Sequence, residues 1–399
     1  NIMKKTIYSC IAALAVVGVA NADVKVGNPM AMTGPIPDLV APMAVAVDLA
    51  EKHINDQGGM FASGEKFVIV RADSMCDPVA GVDAVTKLVN VSGVVGLVGP
   101  VCSGATIAQA ESVSIPAGVV TLSVSASAPA ISTMEDGTDL VFRTAASDAY
   151  QGVALAELAL SKGINDISVS YANDDYNAGL AEVFAAHYAA KGGKIHANEA
   201  HEPNKASYRS EVATLGANTD NLALFAYYGS GGITLMRNAM ETGAFSTFLG
   251  ADGMLAQEVI DQLGAENLGD ATFTTSTSDE TTDGYAAWKA LAVAADLNPL
   301  GPFIPNSYDA AFMMALAIEK AGSADRSKIA GALRAIGNAP GEVILPGEWS
   351  KAKKILAAGG DIHYNGGSGP QDFDANGDVA GSFSASVVVD GAWVGKILK

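Results

Sequence analysis

Apolar and polar positions along the chain follow two alternating rhythms. Near-continuous apolar runs at residues 24–30, 67–71, 94–98 and 118–122 predict strands buried on both faces. Between the first two runs, Met43, Val47, Ala50 and Ile54 recur at helical spacing, and Asp56-Gln-Gly-Gly59 stops the pattern. Behind Asp77-Pro78, an N-cap followed by proline at the first helical position, Val82, Val85 and Val89 form a second apolar stripe. Strand and helix alternate at near-constant spacing, which predicts a parallel sheet covered on both faces.

The same rhythm restarts near Phe142-Arg-Thr144. Strands are expected over 166–171, 194–200, 221–227, 247–250 and 271–275, with helices over 177–191, 207–215, 232–242 and 257–263. From about residue 279 two or three helices follow, including 308–321 and 328–336, and strands near 379–389 and 393–398 end the chain. The second unit repeats the rhythm of the first but not its letters. The expected fold class is α/β, with two doubly wound parallel-sheet lobes. No low-complexity linker separates them, so short crossings are expected.

Composition adds limits. With 399 residues, 49% hydrophobic, the chain is long enough for two ordinary domains with real cores. Lys+Arg number 24 against 43 Asp+Glu, a net charge of -19, so a nucleic-acid duplex or an anionic membrane is repelled. At the start, Lys4 and Lys5, the apolar run 11–19 and Ala20-Asn21-Ala22 describe a secretory signal peptide over 1–22, with Asp23 the first mature residue. An uncleaved anchor is the alternative, but that run is short for a bilayer.

Cys76 and Cys102 are the two cysteines beyond this leader, an even pair in an oxidising compartment. Each follows an apolar run. Neighbouring parallel strands would bring both to one sheet edge; two free buried thiols are the alternative. Ser103 follows the turn Gly99-Pro100, where a helix is expected from Gly104. Its hydroxyl and the unpaired N–H groups of a helix start suit a carboxylate, although Ser103 serving only as the N-cap of its own helix explains the pattern equally. Ser125 and Ser127 lie in a second loop after a strand, readable as site or as plain polar loop.

Other chemistry is missing from the sequence. There is no G-x-S-x-G, P-loop, H-E-x-x-H or G-x-G-x-x-G after a strand, and the five histidines are scattered. No cofactor is implied. Asp372-Phe-Asp-Ala-Asn-Gly-Asp378 spaces oxygen side chains like a calcium loop, but it lacks the terminal glutamate, and an Asx-type turn explains it more simply.

Taken in order, Thr33-Gly-Pro35, Asn55-Asp-Gln-Gly-Gly59, Cys76-Asp-Pro78, Gly99-x-x-Cys102-Ser103, Ser123-x-x-Ala126-Ser127-x-Pro129, Phe142-Arg-Thr144 with Asp148 and Gln151-Gly152, Asp175-Tyr176 and Gly250-Ala-Asp-Gly253 resemble the periplasmic leucine/isoleucine/valine-binding proteins, which serve branched-chain amino acid ABC transporters. The likeness spans nearly the whole chain after the leader. It implies a type I periplasmic binding fold with three hinge crossings, lobes of 23–142 plus 275–383 and 143–274 plus 384–399, and a Cys76–Cys102 disulfide. It implies further that a ligand carboxylate is held by the hydroxyl and N–H of Ser103 and the N–H of Ser127. The ammonium then falls to the Ser125 carbonyl, the Ser127 hydroxyl and Asp252 of the other lobe.

Three departures qualify the resemblance. Asp252 is one methylene shorter than the family's usual glutamate and, taken alone, reads as a turn residue. Ser127 replaces threonine. Leu39, with Ile36 and Asp38, occupies the loop where a tyrosine often packs on the ligand. Tyr176 and one of Tyr227 or Tyr228 are expected on the facing wall, with ordinary core as the alternative. The implied function is a non-enzymatic periplasmic receptor that hands a neutral amino acid to a membrane permease. A sensor signalling to a chemoreceptor or kinase, or a receptor for amides or urea-like solutes, has the same lobes.

Overall fold

The computed structural model describes residues 22–134 and 139–398, so the leader expected over 1–22 lies, except for Ala22, outside the described residues. The first lobe is built on β1 (Val24–Met30), α1 (Pro37–Asp56), β2 (Phe67–Asp73), α2 (Pro78–Lys87), β3 (Gly96–Val98), α3 (Ser103–Gln109), β4 (Val120–Ser123), α4 (Pro129–Ser132) and β5 (Val141–Arg143). Its strands lie parallel in the order β2-β1-β3-β4-β5. Local chemistry accounts for the helix starts: Pro37 sits in the first turn of α1, and the Asp77 carboxylate accepts the N–H of Ala80 ahead of α2.

The second unit runs α5 (Asp148–Ser161), β6 (Asp166–Ala172), α6 (Asp175–Ala190), β7 (Lys194–His201), α7 (Arg209–Leu215), β8 (Asn221–Phe225), α8 (Gly232–Thr242), β9 (Thr247–Ala251), α9 (Gln257–Leu263) and β10 (Ala271–Thr277). The chain then supplies α10 (Asp283–Ala294), α11 (Ile304–Ala321), α12 (Arg326–Gly337), β11 (Glu342–Ile344), α13 (Trp349–Ala357), β12 (Ile362–Tyr364), β13 (Ser382–Val389) and β14 (Ala392–Ile397). Periodicity did not single out α5, α13, or the small β11–β12 pair.

The second sheet has the order β14-β13-β10-β9-β8-β6-β7. β13 runs antiparallel to β10, and Asp390 and Gly391, both at positive φ, close a tight hairpin that returns β14 antiparallel to β13. The chain therefore passes between the sheets after β5, after β10 and before β13. Helix α11 is buried from Ile304 to Ile318 and packs on α1 and α12 within the first lobe, which explains why its sequence lacks a polar face.

The loop at 372–378 is an Asx-type turn. Asp374 Oδ1 accepts the N–H groups of Asn376 and Asp378 at 2.8 and 3.0 Å, and the Asp378 carboxylate is gripped by the fully buried Arg143 at 2.6 and 2.9 Å. Asp374 Oδ1 and the Asp378 carboxylate are thus spent on the protein, and no cluster of three metal-ligating side chains occurs among the described residues. No described helix is long and apolar enough to cross a membrane.

Candidate functional site

Loops beyond the carboxyl ends of both sheets line a common cavity. On the first lobe, β3 and β4 each end in a loop, and serine side chains stitch the two loops together. Ser123 and Ser125 donate to the carbonyls of Pro100 and Val101 at 2.7 and 2.9 Å. Ser103 stands in the first turn of α3 and is 1% exposed. Its hydroxyl oxygen does not cap α3; it accepts the N–H of Ala128 at 3.1 Å, which leaves its proton available to an acceptor in the cavity. Among the described residues, no hydrogen bond engages the Ser125 carbonyl or the Ser127 N–H.

Cys76 and Cys102 form the disulfide, with Cα atoms 5.3 Å apart. Their strands are not neighbours, since β1 separates β2 from β3; the loops beyond the strand ends bring the cysteines together. The bond fixes the residue immediately before Ser103.

The facing wall carries the opposite polarity. Asp252 follows β9, is 8% exposed, and accepts from Gln151 Nε2 at 2.9 Å and from the Tyr176 hydroxyl at 3.0 Å. Burial pushes its pKa above the ordinary carboxylate value, and those two donors oppose the rise. Burial also holds the Tyr176 and Tyr227 phenols well above their ordinary range, so both stay neutral. Their rings stack at 5.4 Å between centroids and form an apolar wall.

Ile36, Leu39, Met43, Val101 and Phe303 complete the lining, and among the described residues no Lys, Arg or His lines the cavity. Tyr228 stands apart from this lining. It is 2% exposed, and its hydroxyl oxygen accepts the N–H of Asp38 from the other lobe at 3.1 Å. A second backbone bond, Gly229 N–H to the Pro35 carbonyl at 3.1 Å, crosses beside it. The structure thus gathers Ser103, Ser125, Ser127, Asp252, Tyr176, Tyr227 and Leu39 around one cavity and gives Tyr228 a cross-cleft contact instead.

Sequence reasoning missed Phe303 and the roles of Met43 and Gln151. Met43 falls on the core stripe of α1, and Gln151 appears only as part of a motif. Phe303 precedes α11 with φ 57, an unusual conformation for an aromatic residue, and nothing local marks it as a cavity wall.

Comparison with known proteins gives a consistent result. A family model described as the receptor family ligand binding region matches residues 42–385. The chain is 31% identical over 335 residues to the Leu/Ile/Val-binding protein BraC3 of Rhizobium johnstonii, covering 83% of this chain and 89% of that protein. It is 27% identical to the chemotactic signal transduction system substrate-binding protein BasB of Halobacterium salinarum, covering 89% of this chain and 84% of that one. Among solved structures, the leucine binding protein LivK of Thermotoga maritima superposes with a TM-score of 0.78 at 23% identity, over 94% of this chain and 97% of that one. A benzoate-bound solute binding protein of R. palustris gives 0.73 at 17% identity, over 94% and 95%, so the fold extends to other ligands.

Proposed function

Since the chain belongs to the Leu/Ile/Val-binding protein family, with its type I periplasmic binding fold, we propose that it is a periplasmic receptor that captures a neutral, apolar amino acid between its lobes and delivers it to an ABC permease. The family binds its ligands without transforming them. We assign the lobes as 23–142 with 275–383 and 143–274 with 384–399.

The observation that carries this reading is the division of polarity across the cavity. Ser103 and Ser127 line the cavity from the loops of the first sheet and can donate hydrogen bonds, and the Asp252 carboxylate lines it from the second. Burying a zwitterion without partners costs several kcal/mol per charge, and charge-assisted hydrogen bonds from a preset site replace the lost water. In this reading Ser103 and the Ser127 N–H hold the carboxylate. The Ser125 carbonyl, the Ser127 hydroxyl and Asp252 hold the ammonium, while Leu39, Met43, Phe303, Tyr176 and Tyr227 receive the side chain. Because the two charges of one ligand are gripped from opposite lobes, the ligand stabilises the closed arrangement.

Titration calorimetry with leucine, isoleucine, valine, phenylalanine and small amides tests the reading. Saturable binding of an apolar amino acid, with amides bound more weakly, is expected; no heat from any of them at millimolar concentration overturns it. Likeness to a chemotactic substrate-binding protein supports a second reading, a sensor that signals to a receptor. Deleting the gene separates the two: loss of amino acid uptake marks a transport component, and loss of taxis with uptake intact marks a sensor.

A further inference from the structure

Asp148 is a buried acid that the assignment above leaves unused. It opens α5 and is 0% exposed. Its Oδ2 accepts the Ser127 hydroxyl at 3.0 Å, and its N–H donates to the Ser127 carbonyl at 2.8 Å. Its Oδ1 is buried and has no partner among the described residues. One turn along the same helix face, Gln151 holds Asp252 Oδ1 at 2.9 Å, so two carboxylates occupy one desolvated corner beside the cavity.

Among the described residues, no free cation balances them. The charged and titratable groups that face Asp148 are Asp252 after β9, Arg143 of β5, Tyr176 of α6 and Tyr227 after β8. Arg143 is committed to Asp378, to the Ser132 hydroxyl and to the carbonyl of Ala128, and both phenols are neutral. Asp252 has two side-chain donors and Asp148 has one. Burial first, and then the Asp252 charge, push the Asp148 carboxyl well above the usual carboxylate range. Like charges in such a pair share protons, and the less solvated member, Asp148, is the one that keeps a proton.

Taking the zwitterion reading of the cavity as its premise, we propose that Asp148 is a positioning residue that turns the lone pairs of the Ser127 hydroxyl toward the ligand ammonium and releases a proton to bulk water when that ammonium arrives. The Ser127 O–H points at Asp148 Oδ2, so the remaining lone pairs of that oxygen are the ones offered to the cavity. An ammonium bonded to Ser127 and Asp252 places a positive charge in the corner that both acids share, which favours their ionised forms. One proton leaves for each cation that enters, and the net charge of the corner is unchanged. The sign follows by linkage. The group is more readily protonated in the free receptor than in the liganded one, so affinity is full above the free protein's titration and is lost as pH falls through it, by about tenfold per pH unit.

The test uses the whole mature chain and L-leucine, whose own groups do not titrate between about pH 5 and 8. Calorimetry at about pH 6, in two buffers of different ionisation enthalpy, reads the protons released. A substantial fraction of a proton released per leucine, and a dissociation constant that tightens steeply with pH, are expected for the wild type. Asp148→Asn should still bind leucine, with no buffer dependence and a flat pH profile. Equal heats in both buffers for the wild type overturn the proposal even if the variant fails to fold, as does a variant that keeps the wild-type pH slope. Absence of any leucine binding by the wild type defeats the underlying reading and this one with it, a result distinct from leucine bound without proton release.

Discussion

The hydroxyl oxygen of Tyr228 accepts the backbone N–H of Asp38 at 3.1 Å, so the first turn of α1 in one lobe is held by a side chain of the other. This contact exists only while the lobes are together, and it belongs to the energetics of closure. Tyr228→Phe should therefore weaken ligand binding by about 0.5–1.5 kcal/mol, the net worth of one hydrogen bond. The melting temperature without ligand should stay within error. Calorimetry and a thermal melt on the same preparation check both halves; a lowered ligand-free melt with unchanged affinity would assign Tyr228 to the core alone.

Gly229 lies beside that contact, and a β-carbon there would sit 2.5 Å from the Pro35 carbonyl oxygen across the cleft. Gly229→Ala should hold the lobes apart and cost at least about tenfold in affinity. Small-angle scattering with saturating ligand should show a larger radius of gyration than for the wild type. A variant that closes to the wild-type radius refutes the clamp.

Ser103 and Asp252 grip opposite ends of the ligand in the proposed function. Ser103→Ala and Asp252→Asn should each weaken binding by about 1.5–3 kcal/mol, the range for hydrogen bonds to charged groups. The two losses differ in character. Asp252→Asn should affect amino acids far more than carboxylates lacking an ammonium, whereas Ser103→Ala should affect both. Unchanged affinity in both variants removes the assigned site.

The Cys76–Cys102 bond closes a loop across 26 positions of sequence and fixes the residue before Ser103. Reduction should lower stability by about 3 kcal/mol on the chain-entropy estimate. Ligand affinity should fall in parallel, because the anion end of the cavity is carried on the Cys102 loop. Denaturant titration with and without reductant measures the first effect, and calorimetry of the Cys76→Ser/Cys102→Ser double variant measures the second.

His201 supplies a pH dependence of stability unconnected with ligand. Its Nδ1 lies 2.8 Å from the Ser170 hydroxyl, its Nε2 is buried without a partner, and burial lowers its pKa to about 4. The unfolded chain takes up a proton near the ordinary imidazole value of about 6.5, which the native chain resists. Stability should therefore be full above about pH 6.5 and decline by about 3 kcal/mol as pH falls toward 4. His201→Gln should flatten that part of the profile in urea titrations; an equal slope in the variant would assign the decline to carboxylates.

Much of this molecule was legible along the chain. The apolar runs and helical stripes mark most strands and helices, because buried strands and amphipathic helices imprint local periodicity, and Asp77-Pro78 carries its conformation in its own chemistry. Ordered motifs pick out Ser103, Ser127 and Asp252, three of the residues that line the cavity, because each lies beyond a strand end.

What no local pattern contains is which side chains meet across the cleft. Only the packed lobes distinguish Tyr227, on the cavity wall, from its neighbour Tyr228, on Asp38, and bring Phe303 and Met43 into one cavity lining with serines far away in sequence. Only they bring Ser127 to Asp148 and Asp252 to Gln151, one turn further along the same helix. Sequence determined the elements and the family, because secondary structure answers to neighbours a few residues away. Tertiary structure decided the site, because hydrogen bonds and buried charges act over a few ångströms of space between residues that may be more than a hundred positions apart.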